Sequence, residues 1–97
     1  MLKNKVCVVG GGAWGRNHIK TLDKLGVLGA VVEEDESLLR NFKKEYSYID
    51  SFKSIEESFE KDFDGYIVAT PAETHFELAI KIIKFKKDLL VEKPLTL

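Results

Sequence analysis

The apolar positions of this chain fall in two alternating patterns. Val6-Cys7-Val8-Val9 is a continuous run rich in β-formers, the pattern of a strand covered on both faces. A glycine-rich turn follows, Gly10 to Gly15. From Trp14 to Leu25 the pattern changes period: Ile19, Leu22 and Leu25 recur three apart while Arg16, Lys20 and Lys24 lie elsewhere on the cylinder. This predicts an amphipathic helix that stops at Gly26. Val27 to Val32 predicts a second strand, closed by Glu33. Asp35 is then placed to cap a helix through Leu38, Leu39 and Phe42, with Lys43 and Lys44 in its last turn.

The second half repeats the alternation. Tyr48 and Ile49 read as a short edge strand. Ser54-Ile55-Glu56-Glu57 matches a capping box and predicts a helix to about Lys61. Asp62 to Gly65 is a turn, and Tyr66 to Thr70 a strand that ends at Pro71. Thr74-His75-Phe76-Glu77 is another capping box, with Phe76, Ala79, Ile80 and Ile83 on one face of the helix behind it. Leu89-Leu90-Val91 is the fifth strand. Strands alternating with helices imply right-handed crossovers, hence an α/β fold with a doubly wound parallel sheet of about five strands. The expected strand order is 3-2-1-4-5, with a crevice between the first and fourth strands where the order reverses.

That topology gives the glycines a chemistry. Gly10, Gly12 and Gly15 form G-x-G-x-x-G between a strand and a helix. Gly10 permits the tight turn, Gly12 lets a pyrophosphate approach the backbone, and Gly15 lets the helix pack close to the strand. The free amides at the helix start face the phosphates. The pattern requires an acid about 20 residues on, at the end of the second strand, and Glu33 stands there. A carboxylate at that point accepts the hydroxyls of an adenosine ribose. Glu34, Asp35 and Glu36 follow, with no arginine or lysine before Arg40, so a 2′-phosphate would meet negative charge. NAD is therefore expected, and NADP disfavoured. The competing reading is a structural glycine turn beside a solvated acidic helix start.

Two further stretches, Val68-Ala69-Thr70-Pro71-Ala72-Glu73-Thr74-His75 and Val91-Glu92-Lys93-Pro94-Leu95, narrow the class. With the glycine turn they resemble the N-terminal domain of the glucose–fructose oxidoreductase and inositol dehydrogenase family (Gfo/Idh/MocA), NAD(P)-dependent enzymes acting on sugars, cyclitols and related compounds. The resemblance implies that Gly10, Gly12 and Gly15, with Ala13 and Trp14, form the dinucleotide turn, and that Glu33 takes the adenosine ribose. It implies that Ala69, Thr70 and Pro71 line the nicotinamide-side ribose and pyrophosphate, with His75 close by. Glu92 and Lys93 would come up near the nicotinamide, Lys93 as the catalytic lysine, aimed by a cis bond at Pro94. Trp14-Gly15-Arg16-Asn17-His18 looks most like the branch acting on nucleotide-linked sugars. The residues by themselves leave Lys93 open as a surface lysine, His75 as a polar neighbour of a cap, and Trp14 as either helix packing or pocket wall.

Bulk properties bound these readings. The 97 residues, 44% hydrophobic and 32% charged, suffice for one core, so residues 1–97 are expected to be a single dinucleotide-binding domain. A net charge of −1 argues against nucleic acid as partner, and no stretch is apolar enough to span a membrane. Cys7 is the single cysteine, which excludes an internal disulfide and offers no metal site. A cytoplasmic setting follows from these features. The family's substrate domain has no counterpart in these residues, so the fold reads as a truncated family architecture, with a sugar-type substrate only if that domain is supplied. The apolar fifth strand then ends the sheet, and such an edge invites self-association. Two other functions stay open: a non-catalytic NAD-binding or interaction module, and a Rossmann-like fold for another adenosine ligand such as that of a methyltransferase.

Overall fold

The computed structural model describes residues 5–10, 12–61, 63–70, 72–84 and 88–91, with the backbone alone at 13–14, 72–76 and 88–91. Five parallel strands, β1 (Val6–Val9), β2 (Leu28–Val32), β3 (Asp50–Phe52), β4 (Gly65–Val68) and β5 (Asp88–Val91), lie in the order β3-β2-β1-β4-β5. The crossovers carry α1 (Ala13–Leu25), α2 (Glu36–Glu45), α3 (Ile55–Ser58) and α4 (Ala72–Lys84). This is the Rossmann-type sheet expected from the alternation, with the reversal between β1 and β4.

Strand alternation divides the core into two layers. Cys7, Val9, Tyr66 and Val68 face α3 and α4, where Ile55 and Ile82 meet them. Val8 and Ile67 face the other way, toward Ile19 and Leu22 of α1 and Phe42 of α2. The β1–β2 register shifts between Val6 and Cys7, so Val6 pairs with Leu28 but Cys7 with Ala30. Gly29 is the extra residue, and the irregularity moves Leu28 to the same layer as Val31. A side chain at Gly29 would press on Lys5 and Phe63, whose atoms lie 3.0 Å from an ideal Cβ.

The helix ends follow local hydrogen bonding. Gly26 closes α1 at φ 76°, where its N–H donates to Leu22 and Asp23. Asp35 caps α2, its Oδ1 accepting from the N–H groups of Ser37 at 2.9 Å and Leu38 at 3.2 Å. Ser54 caps α3, and Glu57 reaches back to the Lys53 N–H at 3.1 Å, completing the box one residue early.

Several elements differ from the sequence expectation. The third strand is Asp50–Phe52 rather than Tyr48–Ile49: the Ile49 N–H bonds back to the Tyr46 carbonyl in a turn, and pairing with β2 starts at Asp50. Ile49 instead plugs the α1–α2 layer, while exposed Tyr48 donates its hydroxyl to Asp23. Helix α3 ends at Ser58, and the chain to Lys61 continues in tighter turns. Helix α4 starts at Ala72, so Thr74 lies inside it and is not its cap. Its inward face is Leu78 and Ile82, whereas Ile80 and Ile83 are 38% and 58% exposed. The Lys81–Glu56 ion pair toward α3, at 2.5 Å, goes with that rotation. Leu25, expected on the buried stripe of α1, is exposed at its last turn.

Candidate functional site

The carboxyl ends of the central strands meet at one rim. Beyond the strands proper, the Gly10 N–H donates to the Val32 carbonyl at 2.8 Å and the Ala69 N–H to the Val9 carbonyl at 2.8 Å. The Glu33 N–H likewise donates to the Phe52 carbonyl at 2.9 Å. Backbone bonding thus carries Gly10, Glu33 and Ala69 side by side, with Thr70 next in the chain.

The three glycines of the turn meet three different surroundings. Gly10 has φ +101°, a conformation that side chains with a Cβ rarely adopt. A Cβ there would also stand 2.9 Å from Thr70 Cγ2 and 3.1 Å from the Ala69 carbonyl. At Gly15 the Cβ would fall 1.8 Å from the Gly10 carbonyl oxygen, because α1 lies directly against the end of β1. At Gly12, by contrast, no described atom lies within 4 Å of the Cβ position. Two glycines clear space the protein itself fills; the third leaves space open at a helix start.

That start is electropositive. Gly12 is the N-cap of α1 and supplies no side-chain acceptor, and the first turn contains no acid. Its amides and the positive end of the helix dipole therefore suit an external anion. The open Cβ position and the uncapped amides together fit a dinucleotide pyrophosphate. The Arg16 guanidinium lies 5.7 Å from the centre of the Phe42 ring, a cation–π contact between α1 and α2.

The acidic cluster is organised rather than loose. Half-buried Glu33 accepts the Asp35 N–H on Oε2 at 2.9 Å. Glu36 pairs with Lys53 at 2.5 Å and, more distantly, with Arg40 at 3.8 Å. The hydrogen bond from Lys53 holds the Glu36 carboxyl below the usual carboxylate range. A concavity of about 310 Å³ beside this pair, between α2 and β3, is lined by Arg40, Lys43, Ser51 and Lys53 among others. Its cations already have protein partners: Lys53 and Arg40 face Glu36, and Lys43 donates to the Ile49 carbonyl.

Of the expected site residues, Gly10, Gly12, Gly15, Glu33, Ala69 and Thr70 share this rim. Ala13 and Trp14 open α1, and His75 falls in the first turn of α4, each placed by backbone only. Pro71, Glu92, Lys93 and Pro94 lie outside the described residues. The role of the Asp35 main chain beside Glu33 was not read from the sequence, although the two-residue spacing of acids before a helix was its trace. Cys7 lies below the turn, fully buried, and burial pushes its thiol far above the ordinary range. Among the described residues no cluster of three or more His, Cys, Asp or Glu is arranged to hold a metal, and no helix is long and apolar enough to cross a membrane.

Comparison with known proteins bears on the fold that carries this rim. The Gfo/Idh/MocA family model, described as an oxidoreductase family with an NAD-binding Rossmann fold, matches residues 4–97. Myo-inositol 2-dehydrogenase of Thermotoga maritima is 31% identical over 96 residues, which are 96% of this chain and 29% of that protein. The crystal structure of GenD2 from gentamicin A biosynthesis, in complex with NAD, superposes on the whole chain with a TM-score of 0.87 at 33% identity, covering 29% of GenD2. UDP-N-acetylglucosamine 3-dehydrogenase GnnA of Acidithiobacillus ferrooxidans superposes with a TM-score of 0.85 at 27% identity, covering all of this chain and 32% of GnnA. The chain thus spans about three tenths of the length of these relatives.

Proposed function

The chain belongs to the Gfo/Idh/MocA oxidoreductase family through its NAD-binding Rossmann fold, and on that premise we propose that residues 1–97 act as the NAD-binding domain of a sugar-type dehydrogenase. The parent reaction is hydride transfer between NAD and a carbon bearing a hydroxyl, on a sugar, cyclitol or nucleotide-linked sugar. The observation that carries this reading is the contrast among the three glycines, two packed against protein and one open at an uncapped helix start. In this reading the amides around Gly12 bind the pyrophosphate, Ala69, Thr70 and Pro71 border the nicotinamide-side ribose, and Glu33 binds the adenosine ribose. Ala13, Trp14, His75 and Glu92 complete the cofactor contacts.

Bound NAD supplies the hydride acceptor. Lys93 holds or moves the proton of the substrate hydroxyl, since a lysine beside a cationic ring loses affinity for its own proton. Binding, not turnover, is assigned to these residues by themselves, because the relatives are about three times longer. The Glu33 carboxylate and the acids behind it favour NAD over NADP by repelling a 2′-phosphate. The balanced composition supports a cytoplasmic setting. Self-association belongs to the same reading: among the described residues β5 has no strand on its outer side, and Ile80 and Ile83 lie exposed on the helix that covers it.

The decisive experiment is calorimetric titration with NADH, NADPH and S-adenosylmethionine. NADH should bind, NADPH at least about tenfold more weakly for want of relief from charge repulsion, and S-adenosylmethionine not at all. Tighter binding of NADPH would overturn the assignment of Glu33, and binding of S-adenosylmethionine alone would replace the dehydrogenase reading. A Lys93→Ala variant should keep NADH affinity. Light scattering that showed a monomer at high concentration would remove self-association.

A further inference from the structure

Resting on the NAD reading, we propose that Asp35 is a positioning residue for the adenosine ribose, acting through Glu33. The length of the glutamate makes its ordering costly. A side chain with three rotatable bonds gives up much conformational freedom when it is held in one pose. A glutamate that must meet two ribose hydroxyls binds better if that ordering precedes the ligand. The structure shows the ordering. The Glu33 N–H is bound to the Phe52 carbonyl, which fixes the backbone at the end of β2, and Oε2 accepts the Asp35 N–H at 2.9 Å.

The donor is itself fixed. Asp35 Oδ1 accepts the N–H groups of both Ser37 and Leu38, which locks Asp35 in extended backbone at φ −79° immediately before α2. A continuous chain therefore runs from the first turn of α2, through the Asp35 side chain and main-chain N–H, to the Glu33 carboxylate. The dipole of α2 helps to hold both carboxylates at its positive end, and the adjoining Glu36–Lys53 pair offsets part of the crowded negative charge. Asp35 is thus more than a helix cap: its cap sets where its own amide points.

A purely structural cap and a positioning cap differ in one observable. The test measures the affinities of the full chain for NADH and for its analogue lacking the adenosine 2′-hydroxyl, and takes their ratio. Loss of a hydrogen bond to a charged group corresponds to about a tenfold ratio or more in the native protein. Asp35→Asn keeps the cap and the N–H and should keep that ratio. Asp35→Ala removes the cap and should lower it to about threefold. Asp35→Pro is compatible with φ −79° but deletes the N–H itself, and should bring the ratio close to one.

If Asp35→Ala and Asp35→Pro weaken both ligands equally, or neither, Asp35 is only a cap and the proposal falls while NAD binding stands. If the native chain binds no NADH, or binds both ligands alike, the NAD reading or its Glu33 assignment falls, and this proposal with it. A measurement on the unaltered chain covers the case of unfolded variants. The Asp35 amide should exchange slowly with solvent and its resonance should shift on addition of NADH. Rapid exchange, or a resonance indifferent to NADH, overturns the proposal.

Discussion

An ideal Cβ on Gly15 would stand 1.8 Å from the carbonyl oxygen of Gly10, inside the radius of any real contact. The first turn of α1 and the last residue leaving β1 therefore pack backbone to backbone. This relationship separates two glycines that look alike in the sequence. Gly15→Ala gains helix propensity of up to about 1 kcal/mol, but the backbone must move to admit the methyl group. The clash wins, and the substitution should cost more than about 3 kcal/mol, the upper end for overpacked sites. Gly12→Ala enters open space in an allowed conformation and should change stability by less than about 1 kcal/mol. It should still abolish NADH binding, because the methyl group occupies the open position. Thermal unfolding and calorimetry on the two variants check both halves; a stable Gly15→Ala, or a Gly12→Ala that binds normally, contradicts the assignment.

Tyr66 and Ser58 form the buried polar contact of the α3–α4 layer. The Ser58 hydroxyl donates to the Ile55 carbonyl at 2.6 Å and lies 3.1 Å from the Tyr66 hydroxyl. Tyr66→Phe leaves Ser58 with its carbonyl partner and should cost about 1 kcal/mol in denaturant unfolding. Ser58→Ala removes the closest partner of the tyrosine hydroxyl, which keeps its longer bond to the Ser58 carbonyl at 3.4 Å, and should cost more, toward about 2 kcal/mol. The reverse order would show that the tyrosine, not the serine, holds the contact together.

Cys7 should be chemically silent in the folded chain. It is fully buried, and burial keeps its thiol protonated far above neutrality. An aromatic disulfide reagent should label it only as fast as the protein unfolds, and stoichiometrically in denaturant. Fast labelling of native protein would show the β1 layer to be open.

Tyr48 carries a pH signature. Although the ring is largely exposed, partial desolvation of the hydroxyl first, and then the hydrogen bond it donates to Asp23, push that hydroxyl up to about 12 from an ordinary value of 10.0. The folded state thus favours the protonated phenol. Its contribution to stability is complete below pH 10 and is lost as the pH rises through about 12. Alkaline absorbance titrations of the native chain and of Tyr48→Phe, taken as a difference, should show one tyrosine ionising near 12 that the variant lacks. Ionisation of Tyr48 near 10 would mean that the contact to Asp23 is not formed in solution.

The proposed self-association through α4 is testable by charge. Ile83→Glu places a carboxylate on the exposed face of α4, where burial against a second copy would then be costly. If the proposed association holds, the native chain should exceed the monomer mass in light scattering at high concentration and the variant should stay closer to it, with helix content unchanged. An unchanged mass would exclude this face from the contact.

Much of this protein is written locally, and local features were legible in the sequence. The alternation of strand and helix, the caps at Asp35 and Ser54, and the G-x-G-x-x-G turn each depend on residues within a few positions of one another. Short-range hydrogen bonds and steric limits decide them wherever the chain goes. The parallel order with its reversal between β1 and β4 followed too, because right-handed crossovers leave few alternatives.

Tertiary packing decided the rest. Apolar residues surround α4 at Leu78, Ala79, Ile80, Ile82 and Ile83, so periodicity alone could not choose its inner face; the sheet took Leu78 and Ile82. The start of β3 depended on pairing with β2, which no property of Tyr48 or Ile49 reveals. The irregularity at Gly29 answered to Phe63 and Lys5, brought close only by folding. At the site, the residue types suggested an anion at the glycine turn and a ribose at Glu33, both of them proposed contacts. The tertiary structure supplied the difference between Gly12 and Gly15, the backbone bonds that align Gly10, Glu33 and Ala69, and the amide that holds Glu33. Residue type states which chemistry is possible; only the packed chain states which atoms are already spent on the protein itself and which are left facing a ligand.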